Sequence, residues 1–567
     1  MKLSCLVPIL HTMIPYMIPF TATLLRMPLH GLLSLLVMIF LLLNPLLPAR
    51  AQHFTRSELP TTMTTPWEIT YGPDHYLWVT EFGGKVSRIH PVSGEKTVVY
   101  TAPDYFPGSP KEQSPLCIKP NIGIGTFGLA LHPNFLNGSA TPFIYYIYSY
   151  NSGTADTPAT RFKIKRLTWD AAISAVTADS DIVLNITTGY DHLGGRMMII
   201  QQNSLPYLFL SVGDNGLSEM NLPTCYEPQS TNPNNWAQDP TTQNGKIHRY
   251  HLDGSIPSDN PIAGYPFYTR GHRNPQGLMY NTSLDIIYDI EHGDRSDDEI
   301  NILHKGMNYG WKYVRGYHAD NNYPGEAEFI KNYKPDPRIA NDSLVEPFYS
   351  FCASPTQDTS SDGANWCSTA PSDGIYYSST GIPEWTNSLL LVTLKDGVTT
   401  DPELYQLKLL PDGSLAPFDI QNPNPRKYFG EDRALNGRLR DIAVSPDGRT
   451  IYLINNYGGG RDKIIVYTYD TTAIGVDEGY QNDDFILYPN PTNESSTIEY
   501  TLSTPERVCV TITNLFGTEV LALEEGLQTA GKHSMTIETG GLASGVYVMS
   551  FEAGAKALRR VKFVIMK

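Results

Sequence analysis

The chain has 567 residues and a formal net charge of -16, with only 18% charged residues beside 46 Gly, 43 Pro and 35 Tyr. An acidic chain without a Lys/Arg-rich run is a poor partner for phosphate backbones, which excludes nucleic acid as the expected ligand. The length suggests a few domains, although a propeller or barrel can spend several hundred residues on one unit, and the Gly, Pro and Tyr richness favours short strands joined by turns.

Residues 1–51 read as a targeting segment. Leu32 to Leu47 is an apolar run preceded by Arg26 and His30, and it ends in Ala49-Arg50-Ala51 before Gln52, which is the layout of a secretory signal with a small-residue cleavage site. Met27 is an alternative start. Pro8, Pro15 and Pro19 interrupt the upstream apolar stretch as a membrane helix; an uncleaved anchor is the rival reading. Export permits disulfides. Cys352 and Cys367 bracket a polar loop and form a candidate staple, Cys117 with Cys225 has no support from spacing, and Cys509 is expected to stay a thiol. Without a C-x-x-C pair, zinc and iron–sulfur clusters have no support.

From Gln52 to Asp470 a Gly/Pro/Asp turn followed by a short strand recurs, as in YGPDHYLWVTE, FIYYIYSY, YLFLSVGDNG, LDIIYDIEHGD, LLLVTLKDG and SPDGRTIYLINN. No amphipathic helical pattern separates these strands. Sheets that repeat in this way must hide their edges, and a radial arrangement of four-stranded blades does so; roughly 420 residues suits about six blades. The expectation is therefore an all-β chain: a six-bladed β-propeller over 52–470, an acidic linker over 471–484, and a small C-terminal β-sandwich over 485–567 built on SSTIEYTL, VCVTITNLF, GVYVMSFEA and RRVKFVIMK.

Thr269 to Trp311 is the densest chemical stretch. Glu291-His292-Gly293-Asp294 followed by Asp297, Asp298 and Glu299 offers hard oxygen ligands and carbonyls; calcium suits such an irregular set, although the spacing is not that of an EF-hand and an acidic solvated loop is the rival. His192 in GYDHLGGRM has Asp191 beside it, and a neutral imidazole oriented by a carboxylate is the usual base for a hydroxyl proton. A structural turn histidine is the bland alternative. Arg438 and Arg440 share a face of an extended strand. They suit a ligand with carboxylates or phosphates, or else a solvated face, and Lys395 could add a third cation. Gly123, Gly125 and Gly128 satisfy G-x-G-x-x-G, but Pro133 blocks the helix a dinucleotide site requires. The lack of a G-x-S-x-G elbow argues against an acyl-enzyme.

Taken in order, PWEITYGPDHYLWVTE, GLALHPNF, DHLGGR, GKIHRYHLDGSIPSDNP, GHRNPQGL, SDDEINILHKGMNYGW and RLRDIAVSPDG resemble the soluble pyrroloquinoline-quinone (PQQ)-dependent glucose, aldose and sorbosone dehydrogenases over roughly Pro66 to Tyr469. The resemblance implies a propeller holding PQQ and calcium that oxidises the anomeric hydroxyl of a sugar to a lactone, passing electrons to an external acceptor. It implies His192 as general base, Asp191 as its companion, Asp214 beside the sugar, and Arg273, Asn274, Lys395, Arg438 and Arg440 on the cofactor. It further implies Gly293 and Asp294 carbonyls on the catalytic calcium, and Glu299 with the Tyr309 carbonyl on a structural one. Asp294 stands where the family has proline, and Asn365 and Ser368 stand where aromatic residues are expected. A propeller that binds carbohydrate or protein without catalysis is the rival, and a lactonase using convergent carboxylates is a more distant one. LYPNPTNESSTIEYTL, NLFGTEV and GLASGVYVMSFEAG in the tail resemble a type IX secretion sorting domain. That implies the type IX machinery as a partner and a final location at the cell surface or outside; an accessory carbohydrate-binding β-domain is the alternative.

Overall fold

The computed structural model describes residues 54–567 except 110–111, 113–122, 137–140, 190, 217–234, 295, 322, 352–367, 396–402, 418–423, 471–484, 503, 515–518 and 554–556. The expected signal segment, the linker, Asn365 and both candidate cysteine pairs lie outside the described residues. Thr55–Thr468 forms one compact unit, and Tyr469–Lys567 belongs to a second.

The first unit is a six-bladed propeller. Its middle strands, such as Leu77–Glu81 and Ser388–Thr393, are buried at every position, as an apolar strand must be when sheets cover both its faces. Six four-stranded antiparallel sheets follow one another along the chain. Their first strands are Pro66–Tyr71, Thr126–Leu131, Met197–Gln202, Pro275–Asn281, Pro371–Tyr377 and Leu439–Val444, and these contact one another in a closed ring. Phe54–Glu58 supplies the outer strand of the sixth blade. The start of the propeller is thus sewn to its end, and the ring closes without an open seam.

Apolar clusters fill the spaces between blades; Met279, Tyr288 and Ile290 of the fourth blade meet Leu389, Leu391 and Tyr405 of the fifth. Each such side chain contributes about 1.5–3 kcal/mol on burial. At the axis the packing is ionic. Arg196 lies 3.0 Å from Asp441, 2.5 Å from Glu68 and 3.3 Å from Asp373, and its Nε donates to the Gln276 carbonyl at 3.1 Å. One guanidinium therefore ties five blades together, and a buried network of this kind fixes register more than it adds stability.

Five of the six first strands begin with a bulge, at Pro66/Glu68, Thr126/Leu129, Pro275/Gly277, Pro371/Asp373 and Leu439/Asp441. A bulge leaves a residue outside the ladder and re-aims its side chain. Trp67, Gln276 and Arg440 occupy these positions, all near the axis.

The second unit has two antiparallel sheets. Phe485–Tyr488, Ser495–Leu502 and Gly531–Glu538 form one; Glu519–Gln528, Glu506–Asn514, Gly545–Ala553 and Ala557–Ile565 form the other. Burial alternates along Ser495–Leu502, and Ile498, Val510, Ile512, Met535, Met549 and Phe563 meet in one core, as in a sandwich. Cys509 holds its thiol 3.8 Å from Glu552.

Candidate active site

His192 lies in the link between the second and third blades with φ +48°, a left-handed conformation that few non-glycine residues adopt. The fold fixes it there. A Cβ at Gly213 would collide with the His192 carbonyl, so glycine is what lets the two loops meet. His192 Nδ1 lies 2.8 Å from Asp214 Oδ1, and Asp214 is fully buried. The same carboxylate accepts from the Gly216 N–H at 2.8 Å, Asn235 Nδ2 at 2.9 Å and the Trp311 indole at 2.7 Å. Asp191 accepts from the His192 backbone N–H at 3.0 Å. The ring of His192 is thus met by Asp214, the residue expected beside the sugar, while Asp191 holds its backbone.

Arg273 and Asn274 occupy the crossing from the outer strand of the third blade, Phe267–Arg270, to the inner strand of the fourth. The Asp214 N–H donates to the Arg273 carbonyl at 2.7 Å, which joins the crossing to the His192 loop. Arg273 lies over the Trp311 ring, 5.5 Å from its centroid, and donates to the His292 carbonyl at 3.1 Å. Asn274 accepts from Gln276 at 2.7 Å and has Nδ2 3.4 Å from His292 Nδ1. His292 is the hub of the arrangement. Burial, then Arg273, Arg440 and His192 in turn, push its pKa down to about 3, so its imidazole is neutral and its Nε2 has no hydrogen-bond partner.

Arg440 is 5% exposed and lies 4.4 Å from the Trp67 ring centroid, with Arg196 at 4.1 Å from the same ring. Its NH2 donates to Gln276 Oε1 at 2.8 Å, while its Nε has no partner. Among the described residues it forms no ion pair, and burial with Arg196 and Arg438 nearby drives its pKa well down. Arg438 donates to the Leu394 carbonyl at 3.3 Å, beside the half-buried Lys395. The two arginines face one neighbourhood, but the reason differs from simple strand alternation: the bulge between Leu439 and Asp441 sets the direction of Arg440.

Gly293 and Asp294 lie on the loop that enters Asp298–Ile302. Asp298 clamps this loop, accepting from Gly293 N–H at 2.9 Å, Ser368 Oγ at 2.9 Å, Thr369 N–H at 2.6 Å and Ala370 N–H at 3.1 Å. Ser368 is therefore part of the loop's anchor. The Asp294 carboxylate stands 3.7 Å from Arg273 and 4.0 Å from Arg315. Glu299 and Tyr309 line one small cavity with Glu291, and Asn301 Nδ2 donates to both Glu291 and Glu299, at 3.1 and 3.2 Å. Burial and the neighbouring Glu291 push the Glu299 carboxyl well above the usual range. His272, Asp289 and Glu291 bring ligand atoms within 4.8 Å of one another, and neither Asp289 oxygen has a hydrogen bond. Burial opposes charge on His272, yet Asp289 and Glu291 raise its pKa to about 9.

Trp311, Asn235, Gln276, Trp67 and His292 hold the site residues in place, and sequence reasoning gave none of them that task. Four of them stand in NYGW, GHRNPQG, PWEITYG and EHGD, Asn235 stands in no such motif, and a hydrogen bond between distant loops has no spacing to read.

A family model described as glucose/sorbosone dehydrogenase matches residues 63–466, and one for a secretion system C-terminal sorting domain matches 486–566. The tail thus marks the chain for export by type IX secretion to the cell surface or outside. The chain is 28% identical to quinoprotein glucose dehydrogenase B of Acinetobacter calcoaceticus, over 73% of this chain and 88% of that one. It is 26% identical to an aldose sugar dehydrogenase of Escherichia coli, over 70% and 88%. The apo form of the soluble Escherichia coli aldose sugar dehydrogenase superposes with a TM-score of 0.51 at 22% identity, covering 74% of this chain and 100% of that one, which establishes the shared fold. With its whole propeller matched by one family model, the chain belongs to the glucose/sorbosone dehydrogenase family.

Proposed function

We propose that this protein is an exported quinoprotein sugar dehydrogenase, oxidising the anomeric hydroxyl of an aldose to a lactone with PQQ as hydride acceptor and calcium as Lewis acid. The observation that carries the reading is Arg440. A guanidinium buried against Trp67 without an ion-pair partner among the described residues is costly unless an anion completes the site. The cofactor's carboxylates are such an anion, and the unpartnered Nε atoms of Arg273 and Arg440 and Nε2 of His292 fit a polar ligand rimmed by oxygens. The carbonyls of Gly293 and Asp294 would hold the catalytic calcium. Glu299, beside Glu291 and Tyr309, would hold a structural one.

The chain's own part in the chemistry follows from His192. With Nδ1–H donated to Asp214, Nε2 is the unprotonated nitrogen, and so the one whose chemistry suits it to take the hydroxyl proton. The imidazolium then formed is stabilised by a carboxylate that three other donors hold still. Arg273, packed on Trp311, keeps its positive charge at the same place, and Asn274 and Gln276 relay the position of Arg440 to His292. A quinone held by Arg273, Asn274 and Arg440 would supply the hydride acceptor, and calcium held at Gly293 and Asp294 would supply Lewis acidity to it. The relatives' printed names, quinoprotein glucose dehydrogenase and aldose sugar dehydrogenase, support the substrate class. An external acceptor and the type IX machinery complete the set of partners. The test is reconstitution with calcium and PQQ, followed by dye reduction across a panel of aldoses. Turnover that His192→Ala abolishes while quinone binding survives is expected; binding of sugars without any dye reduction would move the protein to the class of non-catalytic carbohydrate binders.

A further inference from the structure

A second cavity, of about 530 Å³, is lined by Gln238, Arg270, Tyr313, Phe329 and Tyr333. Its volume lies within the range of about 300–1,000 Å³ typical of small-molecule sites. The wall comes from 303–348, the long connection between the third and fourth strands of the fourth blade, which carries the short helix Glu326–Asn332. Tyr313 is 40% exposed and stacks on Phe329 of that helix, centroids 4.5 Å apart at 29°, and Tyr333 meets Phe329 edge-on at 5.9 Å. The floor is Arg270, 4% exposed, whose NH2 is held by Asp342 at 2.7 Å and Tyr333 at 3.0 Å while Nε and NH1 have no partner.

The segments that carry this shelf run beside those that hold the His192 site. The Tyr309 N–H donates to the Arg270 carbonyl and the Trp311 N–H to Gly271, each at 2.9 Å, so the two segments run side by side. Gln238, on the cavity wall, donates to the carbonyl of Trp311, whose indole donates to Asp214. Tyr313 is two residues from Trp311 and Arg270 three from Arg273, so each shelf residue lies at most about 7–11 Å along the backbone from a residue that holds the site. Phe329 stacks on Tyr313, and Lys312 Nζ lies 5.4 Å from the Tyr313 ring centroid. The exposed part of this aromatic cluster above polar groups fits a pyranose, which presents C–H bonds on its faces and hydroxyls at its edge.

We infer that this cavity is a subsite for the next units of an oligosaccharide whose reducing end lies at His192. Sugar oxidation at His192 fixes the direction of the chain, so the inference rests on the proposed function for its orientation but not for binding. The test uses the purified full chain with cellotetraose, mannotetraose and maltotetraose against their monosaccharides, by calorimetric titration and, after reconstitution, by KM. At least one tetraose is expected to bind at least tenfold tighter than its monosaccharide. Tyr313→Ala is expected to erase that excess while leaving monosaccharide turnover and the melting temperature unchanged, and Phe329→Ala gives an independent second variant. No chain-length preference, or a preference that both variants retain, overturns the inference. Tyr313-dependent tetraose binding without turnover of any sugar would keep the subsite and remove the dehydrogenase reading instead.

Discussion

Replacing Asp214 by Asn keeps the size of the side chain and removes its charge. The carboxylate sits 2.8 Å from His192 Nδ1 and receives three further donors. An amide can satisfy His192 and Gly216 with its oxygen, but its NH2 then confronts the donors of Asn235 and Trp311; the flipped amide confronts His192 instead. Either way the tautomer unprotonated at Nε2 loses its support. A negative charge about 4 Å from a developing imidazolium contributes up to ~4 kcal/mol at an effective dielectric near 20, or roughly three powers of ten in rate. Asp214→Asn is therefore expected to lower kcat by about 10²–10³ in the dye-reduction assay with the reconstituted enzyme, while quinone affinity, measured by equilibrium dialysis, stays within a few fold. Trp311→Phe, which removes one donor, is expected to cost about tenfold. A kcat for Asp214→Asn within fivefold of the parent would refute the His192–Asp214 assignment.

Arg440→Met removes a buried charge that lacks an ion pair, so the apo protein should melt at the same or a higher temperature while quinone affinity falls at least a hundredfold by dialysis. Asp298→Ala unclamps the Gly293 loop; the loss of five hydrogen bonds to one carboxylate should destabilise the protein by about 3 kcal/mol in urea unfolding and weaken calcium binding by titration. His248 is buried, and burial followed by nearby Lys246 lowers its pKa from 6.5 to about 4. The unfolded chain then takes up the proton first. Its contribution is complete above about pH 6.5 and is lost as pH falls toward 4, amounting to up to about 3 kcal/mol. His248→Gln should flatten that part of the melting-temperature profile between pH 7 and 4. A chain ending at Asp470 should retain turnover in lysates yet fail to reach the cell surface, as fractionation would show.

The architecture was legible because its signals are local. Turn residues followed by runs such as LWVTE and FIYYIYSY announce short buried strands, and their number suits six blades. The texture change after Asp470 marks the tail for the same reason. The site was legible in part. His192, Arg273 and Arg440 stand in short motifs, and the structure brings them around His292. The bulges that aim Trp67, Gln276 and Arg440 leave no trace in a hydrophobic pattern, because one extra residue in a strand does not alter its composition. Nor could spacing show that Asp214, 22 residues from His192, would reach its ring ahead of the adjacent Asp191. The aromatic shelf of Tyr313 and Phe329 was missed because it lies in the long connection 303–348, where neither period applies.

In the proposed site, cations from separate blades form one anion cradle beside calcium and His192. Its most direct measurement is titration of PQQ into the purified full chain, with calcium and then with a chelator, followed by quinone absorbance after adding aldose. One quinone per chain is expected, calcium-dependent, weakened by Arg273→Ala and Arg440→Met, with an absorbance change on adding sugar that His192→Ala prevents. Absence of calcium-dependent uptake, or uptake indifferent to both arginine substitutions, would contradict it.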